Sequence, residues 1–138
     1  MNSYQSIIDT ILEHYPDAQA IYLFGTYGTE DERPDSDIDI AVLLPVESAK
    51  RVNYQEWIKL TTAIVMAEKR EDIDLINLRK VNAVFRKEIV MTGRRIYCAD
   101  ENAADEFEML TISQYQQLQD ERKDIIREAI ESGRILHA

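Results

Sequence analysis

The pattern of apolar and polar positions along the chain predicts alternating helices and strands. Apolar side chains recur at helical spacing through residues 4–15, and Ser3 is placed to cap the first turn of that helix. Residues 20–24 are a short apolar run closed by Gly25, which is typical of a buried strand that ends in a turn. The acidic segment 25–36 then predicts a charged loop.

The same alternation continues through the middle of the chain. Residues 37–44 predict a second strand, which Pro45 ends, and residues 73–78 have the length and composition of a third. Between these two strands, apolar positions from Tyr54 to Val65 form a helical stripe.

The last part of the chain predicts helix, short strand and long helix. Residues 81–89 line a helix that Gly93 stops, and residues 95–98 supply a fourth strand. Residues 105–133 read as helical throughout. Their middle, residues 113–124, holds only two large apolar side chains, so it cannot be deeply buried. We expect that stretch either to face solvent or to contact a partner.

This order of elements indicates an α/β or α+β sandwich. A length of 138 residues fits one domain spanning 1–138. The longest apolar run, about seven residues, is far shorter than the roughly 20 residues that a membrane-spanning helix needs. We therefore expect a soluble, cytoplasmic protein with no membrane contact, and a single cysteine fits that reducing compartment.

The charge balance argues against nucleic acid as a direct partner. Sixteen Lys and Arg stand against 26 Asp and Glu, a net charge of -10, so a broad phosphate-binding basic face is not available. Residues 99–138 hold ten acidic and four basic side chains. An acidic C-terminal helix suits a partner with a basic surface, although a solvated helix laced with charge pairs would have the same composition.

The candidate chemistry begins with two acids, Asp37 and Asp39, at the start of the second strand. Side chains alternate along a strand, so both carboxylates are predicted to lie on one face. Two such charges need solvent, a basic partner or a divalent cation, and Mg²⁺ prefers one or two carboxylates together with substrate phosphates. Alone, this pair is more often a solvated edge than a metal site.

Gly25 and Thr26, at the end of the first strand, strengthen the metal hypothesis. Glycine lets a backbone approach a phosphate, and a hydroxyl side chain can bond a phosphate oxygen. If the first two strands are antiparallel neighbours, Gly25 and Asp37 meet at one edge of the sheet. Taken separately, the same dipeptide reads as an ordinary turn.

A third acid is expected from the third strand, where Asp72 and Asp74 share one face. Asp74 lies further into the apolar run and is less easily explained as surface charge. It is placed to accept a proton from an incoming hydroxyl. The residues leave the choice between these two carboxylates open.

Together these motifs resemble those of the minimal nucleotidyltransferases of the DNA polymerase β superfamily. Leu23-Phe-Gly-Thr26, a ten-residue spacer and Asp37-Ile-Asp39 match that family's glycine-serine and D-x-D pattern, with threonine in place of serine. The segment 73–78 resembles its third-carboxylate strand. The mixed acidic and basic segment 119–130 resembles the terminal helix of the MNT antitoxins, which are paired with HEPN toxins.

The resemblance implies a mixed sheet of about four strands flanked by helices, with a long C-terminal helix. It implies that Asp37, Asp39 and Asp74 are the catalytic and Mg²⁺-binding residues, and that Gly25 and Thr26 bind the nucleotide phosphates. It further implies an ATP-using, magnesium-dependent antitoxin that transfers AMP to a tyrosine of its HEPN ribonuclease toxin. The segment 105–133 would then contact that toxin in a hetero-oligomer.

Two alternatives remain at this stage. Thr26 carries an extra methyl group near the phosphates, so the chain could be a weak or inactive enzyme that neutralises the toxin by binding alone. Transfer to a small molecule is the other alternative, but the chain is short for an enzyme that encloses such an acceptor.

Overall fold

A four-stranded sheet organises residues 4–25 and 37–133, the part of the chain that the computed structural model describes. The strands are β1 (Ala20–Phe24), β2 (Ile38–Leu43), β3 (Ile73–Asn77) and β4 (Arg94–Cys98). In the sheet they lie in the order β3-β2-β1-β4. β1 runs antiparallel to β2 and β4, whereas β2 and β3 are parallel. This mixed sheet confirms the predicted fold class.

Helices cover both faces of the sheet. Their bounds are α1 (Gln5–His14), α2 (Val46–Lys50), α3 (Tyr54–Glu68), α4 (Ala83–Thr92) and α5 (Glu101–Glu131). The side chains of Asn53, Asn82 and Asp100 accept backbone N–H groups in the first turns of α3, α4 and α5. These caps fix where the three helices begin.

The alternation of side chains along β2 divides the hydrophobic core into two layers. Ile38, Ile40 and Val42 pack with α1 and α3 on one face of the sheet. Ala41 and Leu43 pack with α4 and α5 on the other face. All five side chains are fully buried. The position of β2 between two layers therefore decides which way its acidic residues point.

Several details differ from the sequence-based prediction. Ser3, the expected cap of α1, lies outside the described residues, and Tyr4 at the helix start makes no side-chain capping bond. The one-turn α2 was not predicted. Gly93 ends α4 in an extended conformation with φ −76°, not the left-handed one typical of a glycine stop. Tyr54, predicted on the apolar stripe of α3, is 78% exposed.

The N-terminal part of α5 is fastened to the sheet. Phe107 is buried in the second layer, and the Arg79 guanidinium lies 5.3 Å from the centre of its ring. The Tyr22 hydroxyl donates to Glu108 over 2.7 Å, and Arg95 pairs with the same carboxylate. From residue 113 onward most side chains of α5 are exposed and none is buried, which confirms that this stretch is not deeply buried.

Within residues 4–25 and 37–133, no helix combines the length and the apolar character that spanning a membrane would require.

Replacing Phe107 with alanine tests this attachment of α5. We expect Phe107→Ala to lower the free energy of unfolding by about 3–5 kcal/mol, because it removes a buried ring and leaves a cavity. Urea denaturation followed by circular dichroism measures the change. Leu110→Ala, at a half-exposed position of the same helix, is the matched control and should cost under about 1 kcal/mol. Equal losses in the two variants would contradict the burial of Phe107.

Candidate active site

Strand register places three parts of the site in one row across the sheet. Phe24 at the end of β1 pairs with Asp39 of β2, and Asp39 pairs in turn with Asp74 of β3. Asp39 points to the same side as Ala41 and Leu43, which is the face covered by α4 and α5. The end of β1 and the beginnings of β2 and β3 therefore meet at one edge of the sheet, as the sequence predicted for the first two strands.

Gly25 follows Phe24 directly and lies against the Asp39 carboxylate. Its backbone has φ +76°, a conformation that glycine adopts readily. A Cβ atom at this position would lie 2.3 Å from Oδ2 of Asp39. Gly25 is exposed, so its backbone is open to a ligand beside that carboxylate.

The charges at this edge of the sheet act on one another. Burial, then the charge of Asp74, then that of Asp37 raise the pKa of Asp39 to about 6. Asp37 precedes β2 and is exposed, and Asp74 is exposed on β3. Three carboxylates thus share one small region, and Asp39 is the one held furthest from water.

The two candidates for the third acid have different surroundings in the structure. Asp74 is the register partner of Asp39. Asp72, just before β3, instead accepts a hydrogen bond from Nε of Arg70 over 2.8 Å. That bond and the nearby guanidinium charge lower the pKa of Asp72. Asp74 is therefore the carboxylate that faces the row, whereas Asp72 already has a basic partner.

Thr26, predicted to bind the phosphates, lies outside the described residues. In the described ranges, no three His, Cys, Asp or Glu side chains are grouped closely enough to hold one metal ion by themselves. Any cation at Asp37, Asp39 and Asp74 would need further oxygen ligands from a substrate or from water.

A large cleft opens beside Gly25 that the sequence did not predict. It has a volume of about 820 Å³ and is lined by Phe24 and Gly25, by one side of α4 from its cap at Asn82 to Thr92, and by Leu118 of α5. Phe24 and Phe85 meet edge to face there, with ring centres 5.9 Å apart. The sequence signal was weak, because Phe85 and Leu118 read as ordinary helix positions until the fold brings them next to Gly25.

Comparison with known proteins identifies the family of this chain. Residues 6–102 match the family model described as polymerase beta, nucleotidyltransferase. The protein adenylyltransferase MntA of Shewanella oneidensis is 36% identical over 121 residues, which cover 87% of this chain and 82% of that protein.

Two solved structures share the fold. A toxin–antitoxin crystal structure with AMP-PNP contains a chain that is 32% identical, with a TM-score of 0.77 and coverage of 94% of this chain and 99% of that one. The structure of a tri-AMPylated Shewanella oneidensis HEPN toxin in complex with an MNT antitoxin contains a chain that is 32% identical to this one. The TM-score is 0.71, and the match covers 91% of this chain and 94% of that one. The chain belongs to the polymerase β nucleotidyltransferase family, together with the adenylyltransferase MntA.

Proposed function

We propose that this protein is an antitoxin that transfers AMP from ATP to a tyrosine of its cognate HEPN ribonuclease toxin and so neutralises it. The observation that carries the proposal is the row of Phe24, Asp39 and Asp74, next to which the exposed backbone of Gly25 lies against the Asp39 carboxylate. The similar proteins named above include an adenylyltransferase and an antitoxin in complex with an AMPylated HEPN toxin.

The donor set fits magnesium and a nucleoside triphosphate. Asp37, Asp39 and Asp74 offer hard carboxylate oxygens, and Mg²⁺ usually takes one or two carboxylates plus phosphate oxygens and water, so an all-protein cage is not required. Because Gly25 has no side chain, the Asp39 carboxylate can lie directly against the Gly25 backbone, where a Cβ atom would collide with Oδ2 of Asp39. When bound, the cation would neutralise charge on the triphosphate and on the pyrophosphate that leaves.

The chain's own residues have distinct tasks in this reaction. Gly25 lets the triphosphate come close to the backbone, and Asp37 and Asp39 would hold the cation that neutralises its charge. Asp74 accepts the proton of the attacking tyrosine hydroxyl. The tyrosine oxygen then bonds to the α-phosphorus, and the bond from that phosphorus to pyrophosphate breaks. We place this reaction in the cytoplasm, where ATP is supplied.

Neutralisation by binding alone is the second candidate, because Thr26 departs from the family's serine and the outer half of α5 exposes apolar side chains. Mixing the protein with Mg²⁺, labelled ATP and the HEPN protein encoded by the neighbouring reading frame separates the two. Label on a toxin tyrosine supports transfer. Loss of ribonuclease activity without label would favour binding alone, and a neighbouring frame with no HEPN protein would contradict both.

Removing either carboxylate of the D-x-D pair should abolish transfer without unfolding the protein. We expect Asp37→Asn and Asp39→Asn to lower the rate of AMP transfer on the order of a thousandfold, since each loses a charge that holds the cation. The folded-state pKa of Asp39 lies above its usual value, so the ionised carboxylate destabilises the fold at neutral pH. The melting temperature of Asp39→Asn without metal should therefore equal or exceed that of the wild type.

Asp9→Asn is the control for that pair, because Asp9 lies on α1, against the opposite face of the sheet, and its carboxylate accepts a hydrogen bond from the Gln5 amide. It should transfer AMP at the wild-type rate. Wild-type turnover by Asp39→Asn would remove Asp39 from the site.

The third acid is tested by comparing Asp74→Asn with Asp72→Asn. Asp74 faces Asp39, so its amide variant should lose about a hundredfold or more in transfer rate. Asp72 is engaged by Arg70, and its variant should stay within about threefold of the wild type. The reverse order of the two rates would assign the role to Asp72.

Gly25→Ala tests the close approach of backbone and carboxylate. The new Cβ would collide with Asp39, and we expect AMP transfer to fall at least about tenfold. Gly133→Ala is the matched control, since Gly133 has the same positive φ of 75° at the end of α5. Both variants should lose about 1–2 kcal/mol of stability, but only the first should lose activity. Full activity of Gly25→Ala would show that this approach has no catalytic role.

A further inference from the structure

One face of α5 begins in the core and continues into solvent. Phe107 and Thr111 are buried on this face, and Leu118 and Ile125 follow at intervals of seven residues, so they lie on the same side of the helix. Leu118 is 46% exposed and Ile125 is 66% exposed. The apolar stripe therefore extends beyond the sheet that buries its first part.

The exposed part of this stripe is continuous with the cleft beside Gly25. A second depression, of about 290 Å³, is lined by Ala83, Gln114, Gln117, Leu118 and Glu121. It shares Ala83 and Leu118 with the larger cleft. The two form one groove that runs from Gly25 to Glu121, which lies about one helical turn before Ile125.

The lining of the groove changes character along its length. At the Gly25 end it is mainly aromatic and aliphatic, with Phe24, Val84 and Phe85, although Asn82, Glu88 and Thr92 also line it. At the other end, two glutamine amides and the carboxylate of Glu121 are exposed. Apolar pockets suit aromatic side chains, whereas amides and a carboxylate suit peptide groups and basic side chains. A triphosphate would find no positive charge among these lining residues.

We propose that this groove and the outer face of α5 form the docking surface for the acceptor segment of the toxin. The proposal rests on the proposed function and adds where the acceptor protein lies. The segment contacts Ile125 and Leu118 and leads its acceptor side chain into the cleft, next to Gly25 and the carboxylates of Asp39 and Asp74. An RNA-binding partner carries basic surface, which complements the ten acidic residues of 99–138.

Charge substitutions on the stripe test the proposal. The cognate HEPN protein is titrated against Leu118→Glu and Ile125→Glu, and the KM for ATP is measured in the transfer assay. Each variant should raise the Kd for the toxin about tenfold or more, because a carboxylate cannot be buried in an apolar contact. The KM for ATP should stay within about twofold of the wild type.

Met109→Glu is the matched control, since Met109 is also 66% exposed but lies on the opposite face of α5. Its Kd for the toxin should stay within about twofold of the wild type. A higher KM for ATP in Leu118→Glu with an unchanged toxin Kd would assign the cleft to the adenine base and overturn the proposal. An unchanged Kd in both stripe variants, or an equal rise in Met109→Glu, would also overturn it.

These outcomes are distinguishable from a failure of the proposed function. The toxin Kd reports docking whether or not AMP is transferred. Wild-type protein that binds the toxin but leaves it unlabelled would contradict transfer alone, and the stripe variants would still test the surface.

Discussion

The hydrogen-bonded register between β2 and its two neighbours is the constraint on which the site depends. Antiparallel pairing with β1 and parallel pairing with β3 bring Phe24, Asp39 and Asp74 into one row. A slip of one residue would turn Asp39 into the layer of α1 and α3, where an unpaired carboxylate is costly. The apolar alternation of β2 thus fixes both the core and the direction of the acidic side chains.

This arrangement places like charges close together, which destabilises the fold. The protein tolerates that unfavourable free energy because buried apolar side chains stabilise the rest of the sheet. Asp39 is partly withdrawn from water beside two other acids, which raises its pKa to about 6. The buried isoleucine and valine side chains of β2 lie immediately beyond it. Strain of this kind is common where a site is built to receive charge from a ligand.

The sequence predicted the four strands, the long helices and the glycine–carboxylate pattern, because each has strong local signals: periodicity, capping residues and fixed spacing. It left Asp72 and Asp74 open, since which of the two carboxylates lies beside Asp39 depends on strand register and on Arg70. It missed α2, one short turn, and the exposure of Tyr54. The cleft was also missed, because Phe24, Phe85 and Leu118 are distant in the chain and meet only through tertiary packing.

α5 connects the sheet that carries the acidic residues with an exposed outer surface. Its first turns are held to the sheet by the buried Phe107 ring and by Glu108, which accepts hydrogen bonds from Tyr22 and Arg95. The exposed half of the helix therefore leaves the sheet in a fixed direction. A helix anchored in this way presents its outer face at a defined distance from the carboxylate row. That geometry suits an enzyme whose acceptor is carried by another protein.

The most direct test of the central claim is a crystal structure of the protein with AMP-PNP and Mn²⁺, with data collected at a wavelength that gives anomalous scattering from manganese. The account predicts an anomalous peak from a manganese ion that is coordinated by carboxylate oxygens of Asp37 and Asp39, with the triphosphate against the backbone of Gly25. A nucleotide bound elsewhere, with no manganese at either carboxylate, would contradict it.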